Sequence, residues 1–306
     1  MIEQPTFSGI RSFLQFPNQL TEGEKPDVTV VGIPFDLGTT NRPGCRFGPA
    51  AIRDASFMLM DGAHPELRAN PIEDLRCIDA GDLNIANGYL EQSLEMIENQ
   101  VRDIDSHLIA LGGDHTVTLP ILRAQAERNG KGISLLHFDA HVDTWKDNFG
   151  TPVGHGTPFH YAAQEGLIDP KRSIQIGIRS PVGNDVMDYT TDELGFNVVS
   201  AEQVHTGGVE AVVAAIKKTV GDNAVYLTFD IDGIDPSQAP GTGTPEVGGL
   251  FTWQALAIMK KLGDLNLVGM DMVEVAPAYD QAQITSLAAA TLVWTYLCLL
   301  AVKKNT

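Results

Sequence analysis

The chain's 306 residues predict an α/β fold of three layers, α/β/α, around a central, mostly parallel sheet of about eight strands. Three observations carry that prediction. Short apolar runs alternate with longer segments of helical spacing, the pattern of strands joined by helical crossovers. The runs are apolar throughout, without alternating polar positions, so both of their faces are buried. No linker, repeat or charge block divides the sequence, so 1–306 is expected to be a single domain with 1–26 as an N-terminal arm.

The arm is punctuated by Pro5, Pro17 and Pro26, and its Phe7, Phe13, Leu14 and Phe16 need cover, which a neighbouring subunit would supply. A first strand follows at 28–34, then a loop over 36–48 that delivers Pro49 to the first turn of a helix, 49–60, where proline is tolerated. A second strand spans 76–80 and is closed by Gly81. Leu90, Leu94, Ile97, Val101 and Ile104 then mark a helix over 90–106. Strand three, 107–111, runs directly into Gly112-Gly113-Asp114-His115. A helix over 119–129, stopped by Gly130, separates it from strand four, 133–138, which runs into Asp139-Ala140-His141-Val142-Asp143.

Residues 145–157 are rich in Gly, Asn, Asp and Pro and form a loop, and 160–166 is helical. Strands at 173–178 and 196–199 are separated by a polar connection over 184–193. An amphipathic helix, 209–220, precedes the strand 224–229, which ends in Asp230-Ile231-Asp232. A helix over 253–262, a strand at 266–270 continuing to Glu274, and a long C-terminal helix complete the chain.

Composition narrows the function. With 43% hydrophobic and 20% charged residues the chain is globular and soluble. A net charge of −18 argues against nucleic acid, whose non-specific affinity rests on Lys and Arg, and favours cationic partners by long-range steering. Cys45, Cys77 and Cys298 are widely spaced with no C-x-x-C, so neither a disulfide framework nor a thiolate zinc site is indicated and a reducing compartment fits. The N-terminus has no basic and apolar leader pattern. The run 284–302 is interrupted by Thr, Ser and Tyr and reads as a buried helix, so no membrane is expected as a partner.

The four stretches containing His115, Asp139 to Asp143, Asp230 to Asp232, and Glu274 all fall at predicted carboxyl ends of strands, the edge where open α/β sheets bind ligands. Alone, His115 reads as a loop histidine and Asp230 as a turn former. Together, four carboxylates on one edge repel unless cations sit between them. Two histidines with carboxylates and no cysteine suit a divalent ion such as manganese better than a structural zinc. The ligand count is enough for two ions, an arrangement that generates a hydroxide nucleophile near neutral pH. The stretch 240–245 lacks the Lys and helix of a phosphate loop and is expected to shape a pocket wall. His64, His107, His137, His160 and His205 have no partner assignable from sequence, and His137 is expected in the core.

Gly112-Gly113-Asp114-His115, Phe138-Asp139-Ala140-His141-Val142-Asp143 and Phe229-Asp230-Ile231-Asp232-Gly233-Ile234-Asp235-Pro236, with the Gly-Thr stretch 239–245, resemble the three signatures of the ureohydrolases, the arginase and agmatinase family. The likeness runs from about Val28 to the C-terminus. It implies that His115, Asp139, Asp143 and Asp230 hold one manganese ion and His141, Asp139, Asp230 and Asp232 another, with Asp139 and Asp230 bridging two Mn2+ per subunit. It implies hydroxide attack on a guanidinium carbon to give urea and an amine. Glu274 would orient the guanidinium and His155 would carry a proton to the leaving amine; no organic cofactor is implied. The chemistry agrees, because a guanidinium is charged at any working pH and a carboxylate meets it in a bidentate pair.

The loop 144–154 does not resemble the arginase version, and the continuation His155-Gly156-Thr157-Pro158-Phe159 is more similar to agmatinases and to relatives acting on guanidinobutyrate or proclavaminate-type substrates. Arg42, Lys146, Asp147 and Arg11 are candidate rim residues. Agmatine, a small dication, is the favoured substrate; guanidinobutyrate is the alternative. A dinuclear metallophosphatase would bring an Asn-His-Asp stretch, which is absent, and a metal-stabilised, non-catalytic binding protein is opposed by the intact ligand set. The resemblance also implies a cytoplasmic homo-trimer or homo-hexamer.

Overall fold

The structure is a computed structural model that describes Pro5, Thr6 and residues 8–305. Its strands, in chain order, are β1 (Val28–Gly32), β2 (Cys77–Asp82), β3 (His107–Leu111), β4 (Ser134–Phe138), β5 (Ile174–Ile178), β6 (Asn197–Ser200), β7 (Ala224–Asp230) and β8 (Asn266–Val273). They form one sheet in the order β2-β1-β3-β8-β7-β4-β5-β6, with every pairing parallel. All carboxyl ends therefore share one edge.

Register decides what meets at that edge. Leu111 pairs with Met272, Met272 with Phe229, and Phe229 with Phe138, so the four central strands end level with one another. The residues that follow, His115, Glu274, Asp230 and Asp139, enter the same layer of space.

Helices α1 (Gly48–Ser56), α2 (Pro71–Asp74), α7 (Ala201–Val220), α8 (Thr252–Met259) and α9 (Ile284–Asn305) pack among themselves on one face. On the other lie α3 (Leu90–Arg102), α4 (Thr118–Asn129) and α5 (Pro158–Gln164), while α6 (Asn184–Asp188) is a single short turn. The strands feed both cores. Ile109 and Leu111 belong to the first, Leu108 and Ala110 to the second, which is why β3 is apolar at every position. The 22-residue α9 is long and apolar enough to cross a membrane, but 67% of its apolar window is buried here, as in a core helix.

Several expectations are corrected. The arm does not need a neighbouring subunit to cover Phe13 and Leu14, which are 0% and 1% exposed against the chain's own core. A short helical turn, Phe13–Gln15, is pinned there, the Phe13 amide donating to Asp79 Oδ2 (2.7 Å) and the Leu14 amide to Ser56 Oγ (2.9 Å). Phe7 and residues 1–4 lie outside the described residues. The polar connection 184–193 is helical, α6 continuing into a π turn, Tyr189–Leu194; only Tyr189 and Thr190 are buried, too few to leave a periodic apolar signal. Helix α7 starts at Ala201, not 209, because Ser200 and Gln203 form a capping box upstream of the break at Gly208. Helix α3 stops at Arg102, four residues short of its predicted end.

Candidate metal centre

Strand ends and tight turns aim the functional side chains. Gly112 and Gly113 follow β3 with φ of +76° and +83°. A Cβ at Gly113 would stand 2.9 Å from the Ile33 carbonyl, so only glycine permits this approach. Asp114 then caps the next turn, Oδ1 accepting from the Thr116 amide (3.0 Å) and Oδ2 from the Gly38 amide (2.7 Å). Burial and the nearby Glu274 charge push Asp114 up to about 6. Asp143 and Glu274 occupy left-handed backbone at φ +49° and +64°, where non-glycine residues are uncommon and concentrate at functional sites. Asp230 does form a turn, Oδ1 accepting from the Asp232 amide (2.8 Å), and it offers its other oxygen to the cluster.

The side chains converge on two points. His115 Nδ1 lies 3.1 Å from Asp139 Oδ2, 3.0 Å from Asp143 Oδ2 and 3.3 Å from Asp230 Oδ2. That nitrogen is buried and satisfied by no hydrogen bond, the arrangement expected of atoms aimed at a common ion. His141 Nδ1 lies 3.1 Å from Asp139 Oδ1 and 3.2 Å from Asp232 Oδ2. Asp139 thus faces one group with each oxygen and stands between them. The remaining nitrogen of His115, Nε2, meets Thr228 Oγ1 at 2.8 Å, which fixes the ring as outer partners do for metal-binding histidines.

The electrostatics are those of a cation site. Burial, then the charges of Asp232 and Asp139, push Asp230 well above the ordinary carboxylate range, and burial with Asp139 raises Asp232. Burial opposes charge on His115 and His141, yet the closely placed aspartates outweigh it and push both up. The field that would hold an imidazolium there suits divalent ions, so the donor set fits a two-metal centre.

His137 has a partner that sequence did not reveal. Its Nε2 lies 2.7 Å from Asp139 Oδ2, while Gln175 Nε2 donates to its Nδ1 at 3.2 Å. It falls within reach of an ion shared with His115, Asp139 and Asp143, or supports Asp139 from behind. The other histidines are also engaged: His64 stacks on Trp294, His107 meets Tyr296, His160 meets Tyr189, and His205 meets the Gly249 carbonyl.

Beside the cluster, Glu274 is buried and its side chain has three polar partners, one short of a carboxylate's acceptor capacity. Oε1 accepts from the His115 amide (2.9 Å) and lies 3.0 Å from His155 Nδ1, and Oε2 accepts from the Cys45 thiol (3.1 Å). Burial would raise Glu274, but His155 and these donors hold it below its ordinary value. Burial opposes charge on His155, but Glu274 outweighs it and lifts the imidazole to about 9. The outer nitrogen of His155 lies 2.7 Å from Thr40 Oγ1. Cys45 and the Thr40 contact escaped the sequence reading, because nothing local in Arg42-Pro43-Gly44-Cys45 reports a partner 229 residues away.

The cluster and His155 open into a cavity of about 940 Å3 whose floor includes His141, Asp143, Asp230 and His155, with Glu274 buried behind it. Thr244 and Pro245 line its wall, as expected for 240–245, and the Thr244 hydroxyl donates to Asp232 Oδ2 (3.2 Å). Arg42, Lys146 and Asp147 reach the cavity, whereas Arg11 does not: it pairs with Asp54 at 3.2 Å and lies over Phe57.

A histidine–carboxylate cluster with two convergence points, at the carboxyl edge of a parallel three-layer sheet, defines an enzyme of the two-metal hydrolase class. The sequence pattern of the arginase family matches residues 26–298, and the chain belongs to that family. It is 48% identical to an agmatinase of Chromobacterium violaceum over 98% of this chain and 91% of the relative. It is 46% identical to an agmatinase of Cronobacter sakazakii, over 96% and 94%. Among solved structures, a hypothetical agmatinase from Burkholderia thailandensis superposes with a TM-score of 0.91 at 44% identity, covering 98% of this chain and 94% of that one. Proclavaminate amidino hydrolase from Streptomyces clavuligerus gives 0.91 at 37% identity, covering 98% and 99%.

Proposed function

We propose that the chain hydrolyses agmatine to urea and putrescine, as a single catalytic domain over 1–306. The observation that carries this reading is Glu274, buried and charged beside the His–Asp cluster, in a chain 48% identical to an agmatinase. In this reading His115, Asp139, Asp143 and Asp230 hold one divalent ion, and His141, Asp139, Asp230 and Asp232 hold the other. Manganese is the metal the family resemblance implies, and a donor set dominated by carboxylate oxygens without thiolate is compatible with it. Bound ions would supply an activated water at neutral pH. Glu274 receives the guanidinium through paired charge-assisted hydrogen bonds. His155, held protonated beside Glu274, donates a proton to the departing amine, with Thr40 fixing its ring. The family assignment further supports a homo-trimer or homo-hexamer, and the free thiols of Cys45, Cys77 and Cys298 agree with a cytoplasmic location.

Agmatine is preferred over guanidinobutyrate because the two cations at the cavity are already engaged. Lys146 Nζ lies 4.4 Å over the Tyr189 ring and Arg42 Cζ 5.3 Å over Tyr279. Asp147, Asp185, Glu193 and Glu246 line the same space. A urea-release panel over agmatine, guanidinobutyrate, guanidinopropionate and arginine with manganese present tests the assignment. Agmatine should be fastest and arginine far slower; equal rates on agmatine and arginine would overturn it.

A further inference from the structure

We infer that Glu246 reads the far end of the substrate, pairing with the ammonium group that a four-carbon spacer separates from the guanidinium. This rests on the agmatinase reading and adds the residue that gives it specificity. Glu246 lines the active cavity and is half-buried, whereas Asp147, Asp185 and Glu193 on the same lining are exposed. Asp147 is also committed to a turn, accepting from the Gly150 amide at 2.9 Å.

Its distance from the cluster is fixed by a latch. One nitrogen of Arg179, Nη2, donates both to the Glu246 carbonyl (2.6 Å) and to the carbonyl of the metal-site residue Asp232 (2.7 Å). The chain supplies a second tie, since Thr244, which bonds Asp232 Oδ2, lies only two residues before Glu246. Two residues of extended chain span at most about 7 Å, a reach comparable to a tetramethylene spacer.

The carboxylate itself is oriented and has capacity left. Oε1 accepts from the Ser180 hydroxyl at 2.9 Å. Among the described residues, its side chain makes no other hydrogen bond and no salt bridge; the nearby Arg179 spends its donors on backbone carbonyls. An ammonium brings three donors and no acceptor, so an oriented carboxylate with an open oxygen is its complement.

The test compares kcat/KM for agmatine with that for n-pentylguanidine, in which a methyl replaces the ammonium, in the wild-type protein and in Glu246→Gln with metal present. Gln keeps the size and an acceptor for Ser180. The wild type should prefer agmatine by about tenfold or more, the worth of a charge-assisted contact, and Glu246→Gln should erase most of that preference. Because both substrates are measured on one preparation, the ratio is insensitive to loss of folded enzyme. Glu246→Lys should move the preference toward guanidinobutyrate. An unchanged ratio in Glu246→Gln, or a wild type that does not distinguish the two, overturns the inference while urea release from agmatine leaves the agmatinase reading standing. No urea from agmatine in the wild type overturns both.

Discussion

Asp143 sits in left-handed backbone and presents Oδ2 3.0 Å from His115 Nδ1. Asn tolerates the same backbone and has the same shape, so Asp143→Asn removes charge with little disturbance. We expect it to keep the wild-type circular dichroism spectrum, to bind less manganese per chain and to lose at least about a hundredfold in urea release, in line with the cost of damaging a metal site. Full activity without added metal would refute the assignment. At this scale the sequence was informative wherever chemistry is packed into a short motif: Asp139, His141 and Asp143 fall within five residues, and each meets the cluster. It placed His137 in the core, where it is fully buried, but was silent on the partners of Cys45, Thr40, His137, Arg179 and Glu246. Their roles come from partners on other elements, so no spacing rule applies to them.

At the scale of elements, strands buried on both faces were readable because they are apolar without interruption, and the level ends of β3, β8, β7 and β4 follow from their register. Helix ends were less readable, since capping at Ser200 and the break at Gly208 compete within one α7 segment. The join between β3 and α9 carries a pH dependence. His107, the first residue of β3, meets Tyr296 of α9 at 2.8 Å. Burial, reinforced by the Lys303 charge, depresses its imidazole to about 4. A depressed folded value means that the unfolded chain binds the proton more tightly. The stabilising contribution is therefore present above about 6.5, the unperturbed histidine value, and is lost as pH falls toward 4. His107→Gln, which retains a polar partner for Tyr296, should show a shallower decline in Tm between pH 6.5 and pH 4 than the wild type. Parallel declines would mean that His107 does not titrate with unfolding.

For the whole molecule, the fold's main consequence is convergence. Residues from 40 to 246 share one cavity because a wholly parallel sheet presents every carboxyl end on one edge. The alternation of apolar strands with helical segments predicted such a sheet, but not its strand order, because crossovers are set by packing between helices distant in sequence. Convergence also concentrates Asp139, Asp143, Asp230 and Asp232 in a buried space, where burial and mutual charge oppose ionisation of Asp230 and Asp232. The isolated chain bears that repulsion, and ions that bind only the folded state remove it. An ion at a hundred times its Kd stabilises the fold by about 2.7 kcal/mol. At about 2 °C of Tm per kcal/mol for a chain of this size, two ions raise Tm by about 10 °C. Calorimetry of chelator-treated protein, before and after manganese is restored, should show that difference together with loss and recovery of urea release. If Tm does not move while activity does, the ions contribute chemistry but not stability, and the aspartates must then be neutralised by protons in the metal-free state. If neither moves, the cluster is not a metal centre.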